Sequence, residues 1–223
     1  MVPNPSNFLE DDNIEIRVIT QEDRKRVWDF LAVYFFPDEP LTNSSEPRDL
    51  LLVGEDFLLS NIDYGTCLMA VAKDTNELVG LTMTGPKGPE DADHMQVEAD
   101  AEGNTKWGNI LRFLVQIERE SKVFERYAVP KVLNIMATCV DVKMRGRNLG
   151  SRLYNAAIDI AKGKGFEVVT ADCTSFYSAR IKDRLGWDLI NVIYYKDFLD
   201  ANNKQIFCPD PPHECCKTYA VRI

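Results

Sequence analysis

The sequence predicts an α/β protein with a central mixed, twisted β-sheet and helices on both faces. Three observations carry that class. Val132 to Val142 is almost continuously apolar, as a central strand covered on both faces must be. Segments with apolar residues at helical spacing lie on either side of it, and Cys67 to Thr84 reads as two strands joined by a tight turn. Hairpins and crossovers therefore alternate along the chain, which gives a sheet containing both strand senses.

Taken in order, Ile14 to Ile19 alternates as a strand, and Thr20 opens a helix through the pattern T-x-x-D, with Val27, Leu31 and Tyr34 on its buried face. Three prolines interrupt the segment from Phe35 to Pro47. A second helix follows, with Pro47 in its first turn and Leu50, Gly54, Phe57 and Leu58 marking its course. The hairpin strands are Cys67 to Lys73 and Leu78 to Thr84. Gly85 to Thr105 is polar and reads as an exposed loop whose acids are a solvated surface. Trp107, Ile110, Leu114, Ile117, Ser121 and Phe124 define one amphipathic helix that stops before Pro130. After the central strand come the loop KMRGRNLG, a helix with Leu149, Leu153, Ala157 and Ile160 on one side, and a strand from Phe166 to Cys173. A short helix from Ser175 to Leu185, a strand from Trp187 to Tyr195 and a last strand near Lys217 to Ile223 complete the order.

Composition narrows function. The 223 residues include 35 acidic and 26 basic side chains, a net charge of −9, which counts against a nucleic-acid or anionic-membrane partner and suits a cationic small molecule. Residues 1–13 read as a flexible N-terminal segment and 14–223 as a single domain. The six cysteines form no C-x-x-C pair and there are two histidines, so no zinc site is written and no metal is expected. The run His213-Glu214-Cys215-Cys216 reads as a solvated C-terminal strand. Cys67, Cys139 and Cys173 lie in apolar runs, as buried thiols of a reducing compartment do. No leader or membrane span is evident, and a cytoplasmic location is expected.

The chemistry starts at Met144-Arg145-Gly146-Arg147-Asn148-Leu149-Gly150-Ser151, where a buried strand turns into a helix. Free amides at a helix start, the helix dipole and two arginines make an anion site there. The loop resembles the R/Q-x-x-G-x-G/A acetyl-CoA motif of the GNAT acetyltransferase superfamily, with Arg145 first and Gly150 last. Ser178 to Trp187 resembles that superfamily's later helix ending in Leu-Gly-aromatic. Pro37-Asp38-Glu39-Pro40-Leu41-Thr42 is similar to the D/E-E-P-L segment of insect arylalkylamine N-acetyltransferases. Asn148 replaces the middle glycine of the motif, but asparagine tolerates positive φ and the turn can survive.

The resemblance implies a GNAT fold with acetyl-CoA as co-substrate. Its pantetheine would lie along backbone at Val140, Asp141 and Val142, and its pyrophosphate on the amides from Arg145 through Gly146, Arg147, Asn148, Leu149 and Gly150 to Ser151, with Lys182 reaching phosphate. A protonated amine substrate needs a base before it can attack a thioester. Glu39, in an aromatic and proline-rich setting, is the natural carboxylate and matches the base of the family segment. The leaving thiolate needs a proton or hydrogen bond. Thr174 and Ser178, four residues apart, match two family serines credited with that role, and Tyr177 competes with them. Tyr34, Phe35, Phe36 and Trp187 are aromatic candidates for a pocket wall or for core. The leading reading is acetylation of a small arylalkylamine. A polyamine or agmatine-like amine is the alternative, and a non-catalytic acyl-CoA-binding module is a reading of a different class, against which Glu39 and Ser178 both argue.

Overall fold

The computed structural model describes residues 13–44, 55–144 and 146–223. The expected N-terminal segment up to residue 12, the start of the second helix with Pro47, Leu50 and Gly54, and Arg145 lie outside the described residues. The strands are β1 (Ile14–Val18), β2 (Leu68–Ala72), β3 (Leu78–Lys87), β4 (Val132–Val140), β5 (Val168–Cys173), β6 (Asp188–Tyr194) and β7 (Cys215–Arg222). They form one sheet in the order β1-β2-β3-β4-β5-β7-β6. Every neighbouring pair is antiparallel except β4 with β5, which is the mixed sheet expected.

Helices α1 (Arg24–Tyr34), α2 (Pro40–Asn43) and α3 (Glu55–Leu59) precede the hairpin; α4 (Asp91–Glu102), α5 (Lys106–Ser121) and α6 (Val123–Tyr127) separate β3 from β4. Helix α7 (Leu149–Gly163) crosses from β4 to β5, and α8 (Phe176–Leu185) leads to β6. Leu149, Leu153, Tyr154, Ala157 and Ala161 of α7 cover one face of the sheet against Leu68, Ala70, Leu133 and Ile135. Val27, Phe30 and Leu31 of α1 cover the other against Met69, Val71, Leu81, Met83, Ala137 and Cys139. In β2 the two faces alternate residue by residue, the strand period of two.

Strand β4 breaks that alternation. Leu133 and Ile135 face α7, whereas Ala137 and Cys139, of the same parity, face α1. The cause is a bulge: Met83 pairs with Ala137 and Thr84 with Ile135, so Met136 has no partner on β3 and the strand turns over at that residue.

Three expectations are corrected. Gly85 to Thr105 is not an exposed loop. Strand β3 continues to Lys87 and Asp91–Glu102 is α4, which buries Ala92, Met95 and Ala99. Arg112 of α5 ties down its far end by donating to the carbonyls of Ala99 at 2.9 Å and Gly103 at 2.7 Å. The helix expected through Phe124 ends at Ser121, because Lys122 takes φ 48°, and α6 starts afresh. The C-terminal strand is not a solvated tail. It lies between β5 and β6, and Cys216 is buried there, so Cys67, Cys139, Cys173 and Cys216 are all buried thiols.

Leu153 is fully buried where α7 meets the sheet. Leu153→Ala should lower the unfolding free energy by about 2–5 kcal/mol in urea titrations, and an unchanged midpoint would place α7 outside the core.

Candidate active site

The parallel pairing of β4 with β5 lasts three residues, Leu133 with Val169, Asn134 with Thr170 and Ile135 with Ala171. It ends one residue before the bulge at Met136. From there β4 stays on β3 while β5 stays on β7, and the two strands part. A cleft of about 1260 Å³ fills the gap and runs from the β4 edge and the start of α7 to Phe36, Glu39, Phe57 and Trp107.

At one end of the cleft lies the loop between β4 and α7, described here from Gly146 onward. Gly146 has φ 81° and Asn148 φ 59°, so asparagine adopts the left-handed backbone that the motif's glycine would supply, and α7 starts immediately after it. A Cβ added at Gly150 would meet only Ile181, at an ordinary 3.6 Å. The protein's own packing therefore does not demand glycine there, whereas a ligand approaching the backbone would. Val140, Gly146, Asn148, Leu149, Gly150 and Ser151 line the cleft. Asp141 and Val142 do not. Strand β4 stops at Val140, the Asp141 carboxylate turns inward to accept from Tyr34 Oη at 3.1 Å and the Lys143 amide at 2.8 Å, and Val142 begins a short 3-10 turn. Arg147 faces a smaller cavity of about 290 Å³ beside Ile14 and Asp74. These residues fit a bound acetyl-CoA: a strand edge without a partner for an extended amide chain, and helix-start amides for phosphate.

At the other end Glu39 caps α2. Its Oε2 accepts from the Thr42 amide at 2.7 Å and from Thr42 Oγ1 at 2.5 Å, and the side chain is buried on the cleft wall. Tyr34, Phe35 and Phe36 line the cleft while also packing on the core beneath α1, and Phe57 and Trp107 join them in edge contact at 5.4 Å. Trp187 does not line it. Two features were not read from the sequence. His213 lies on the wall, where the Phe176 amide donates to its Nδ1 at 3.1 Å. Burial lowers its pKa below the usual imidazole value, and the charges of Glu39, Asp38 and Asp210 pull it back up. Lys87 donates to Glu118 at 2.7 Å and Asp172 at 3.4 Å on the floor. Burial opposes its charge, but those two carboxylates outweigh the penalty and raise its pKa. Among the described residues no cluster of three His, Cys, Asp or Glu side chains is placed to share a metal ion.

Thr174, Tyr177 and Ser178 also reach the cleft. Ser175 is the N-cap of α8, accepting from the Ser178 amide at 3.1 Å. Thr174 precedes that cap, so it and Ser178 are not one helical turn apart as expected. The Ser178 hydroxyl donates to the Ser175 carbonyl at 2.9 Å, and Tyr177 is largely exposed. Lys182, expected to reach phosphate, is fully buried, with Nζ 2.8 Å from the Tyr154 ring centroid and 4.3 Å from that of Trp187.

Comparison with known proteins agrees with this architecture. The profile of the acetyltransferase (GNAT) family matches residues 26–182. An agmatine N-acetyltransferase structure is 37% identical, with a TM-score of 0.90 over 95% of this chain and 100% of that one. A Drosophila melanogaster polyamine N-acetyltransferase that forms N-acetylagmatine is also 37% identical, with a TM-score of 0.89 over 94% and 100%. A mosquito arylalkylamine N-acetyltransferase-like protein, 5b, is 30% identical, with a TM-score of 0.89 over 94% and 100%. No helix among the described residues is long and apolar enough to cross a membrane.

The left-handed Asn148 sets a test of the loop. Asn148→Gly should keep acetyl-CoA affinity in calorimetry, while the β-branched Asn148→Val should cost about 1–2 kcal/mol of loop conformation and weaken binding accordingly. Equal affinity in the two variants would show that the turn does not shape the phosphate site.

Proposed function

The chain belongs to the GNAT acetyltransferase family, whose members use acetyl-CoA and an acceptor substrate, and on that premise we propose that it acetylates the primary amine of a small arylalkylamine of the dopamine, tyramine or serotonin type. The observation that carries the reading is the single cleft joining an aromatic end that holds Glu39 to the free edge of β4 and the start of α7. Aromatic walls at Phe35, Phe36, Phe57 and Trp107 suit an aryl group.

An alkylamine with a pKa near lysine's ~10.4 arrives as ammonium. Glu39 is in the cleft to take its proton, and the two donors from Thr42 keep one carboxylate oxygen fixed while Oε1 is left for the substrate. The neutral nitrogen then attacks the acetyl carbon. The β4 edge and the amides from Gly146 to Ser151 hold the coenzyme so that the thioester meets the amine at the point where β4 and β5 part.

A second reading has support of its own. Asp38, Glu39 and Asp210 surround His213 electrostatically, and that much acid suits a substrate with a second cationic group, such as agmatine or a polyamine. The two relatives at 37% identity are an agmatine and a polyamine N-acetyltransferase. Thiol release measured over a panel of tyramine, serotonin, agmatine and spermidine separates the readings. Higher kcat/KM for the aryl amines is expected, the reverse order would move the assignment to the dicationic class, and tight acetyl-CoA binding without release would leave a binding module.

Glu39→Gln should reduce kcat by about 10²–10⁴-fold without changing acetyl-CoA affinity in calorimetry. Turnover equal to wild type across the pH range would remove Glu39 from the role of base.

A further inference from the structure

Among the described residues of the cleft, Lys182 is a buried amine without an acceptor. It sits on the second turn of α8 at 0% exposure, its Nζ has no hydrogen-bond partner, and it lies against the faces of Tyr154 and Trp187. Removing an ammonium from water with no acceptor to receive its protons is costly. A leucine or methionine would fill the same space without that cost. The position is also on the cleft lining, together with Cys173 and Ser178 at the end of β5 and the start of α8. Those elements stand across the gap from the free edge of β4.

The rival groups for assisting the leaving sulfur are occupied or displaced. The Ser178 hydroxyl hydrogen goes to the Ser175 carbonyl, Thr174 lies outside the helix, and Tyr177 is 61% exposed. Building on the acetyl-transfer reading above, we infer that Lys182 is the catalytic acid that donates a proton to the departing thiolate of coenzyme A. The amine nitrogen bonds to the acetyl carbon, the C–S bond breaks with its electron pair on sulfur, and the Nζ proton passes to sulfur to give the thiol. The nitrogen gives up two protons in becoming an amide. The first leaves on Glu39 to solvent and the second, relayed by solvent, recharges Lys182.

The electrostatics support the assignment. Burial lowers the Lys182 pKa to about 7, and a proton held that loosely is transferable near neutral pH. The titratable groups facing it are Tyr154 from α7 and Cys173 from β5, both pushed upward by burial, Cys173 to about 11, and therefore neutral. Asp183, its neighbour on α8, accepts from Tyr219 at 2.7 Å.

The test uses Lys182→Met, which keeps the packing against Tyr154 and Trp187 and removes the proton. Coenzyme A affinity should be unchanged in calorimetry, thermal stability equal or higher, and kcat lower by about 100-fold. A second readout is the pH profile. Wild-type kcat should fall on the alkaline side as Lys182 loses its proton, and the residual activity of the variant should lack that limb. A wild-type kcat that does not fall on the alkaline side overturns the inference, and so does wild-type turnover in Lys182→Met. Wild-type protein that binds coenzyme A but releases no thiol with any amine would instead overturn the acetyl-transfer reading.

Discussion

The fold's central constraint is the extra residue in β4. Met136 lets the strand keep its antiparallel partner β3 as far as Val140 while its parallel partner β5 is lost after Ile135. Because a strand's side chains alternate, one inserted residue also turns the rest of β4 over, and Ala137 and Cys139 pack under α1 instead of α7. A sheet split in this way exposes backbone groups that must be satisfied by water or by a ligand. Helix α7 starts at the same opening, so its unbonded amides face into it.

Charge is organised around that opening and not by the net value of −9. Acids gather near His213 at the aromatic end, and the floor is closed by Lys87 between Glu118 and Asp172. The end at the start of α7 offers oriented amides. Lys182 stands apart because its surroundings are rings and a neutral thiol, an environment in which an ammonium gives up its proton readily.

Much of this was legible in the residues. The apolar run of β4, the helical spacing of α5 and α7, and the turn-compatible Asn148 each follow from local chemistry that the fold then uses. Helix α4 was hidden because its buried stripe is only Ala92, Met95 and Ala99, set among acids. The bulge at Met136 was hidden because an apolar strand reads the same whichever face its residues take. His213 and Lys182 acquire their positions from long-range packing, β7 inserted beside β5 and α8 folded onto α7, and no local pattern encodes either. Around His213 the neighbouring Glu214 and Cys215 even point the other way, toward a solvated tail.

The most direct test of the account is amide hydrogen exchange along β4 with and without acetyl-CoA. If the split between β4 and β5 receives the coenzyme, amides from Met136 to Val140 that point toward β5 should slow on its addition, together with those from Gly146 to Ser151. Bound acetyl-CoA that leaves both stretches unprotected would contradict the account, because the opening created by the bulge would then not be where the coenzyme lies.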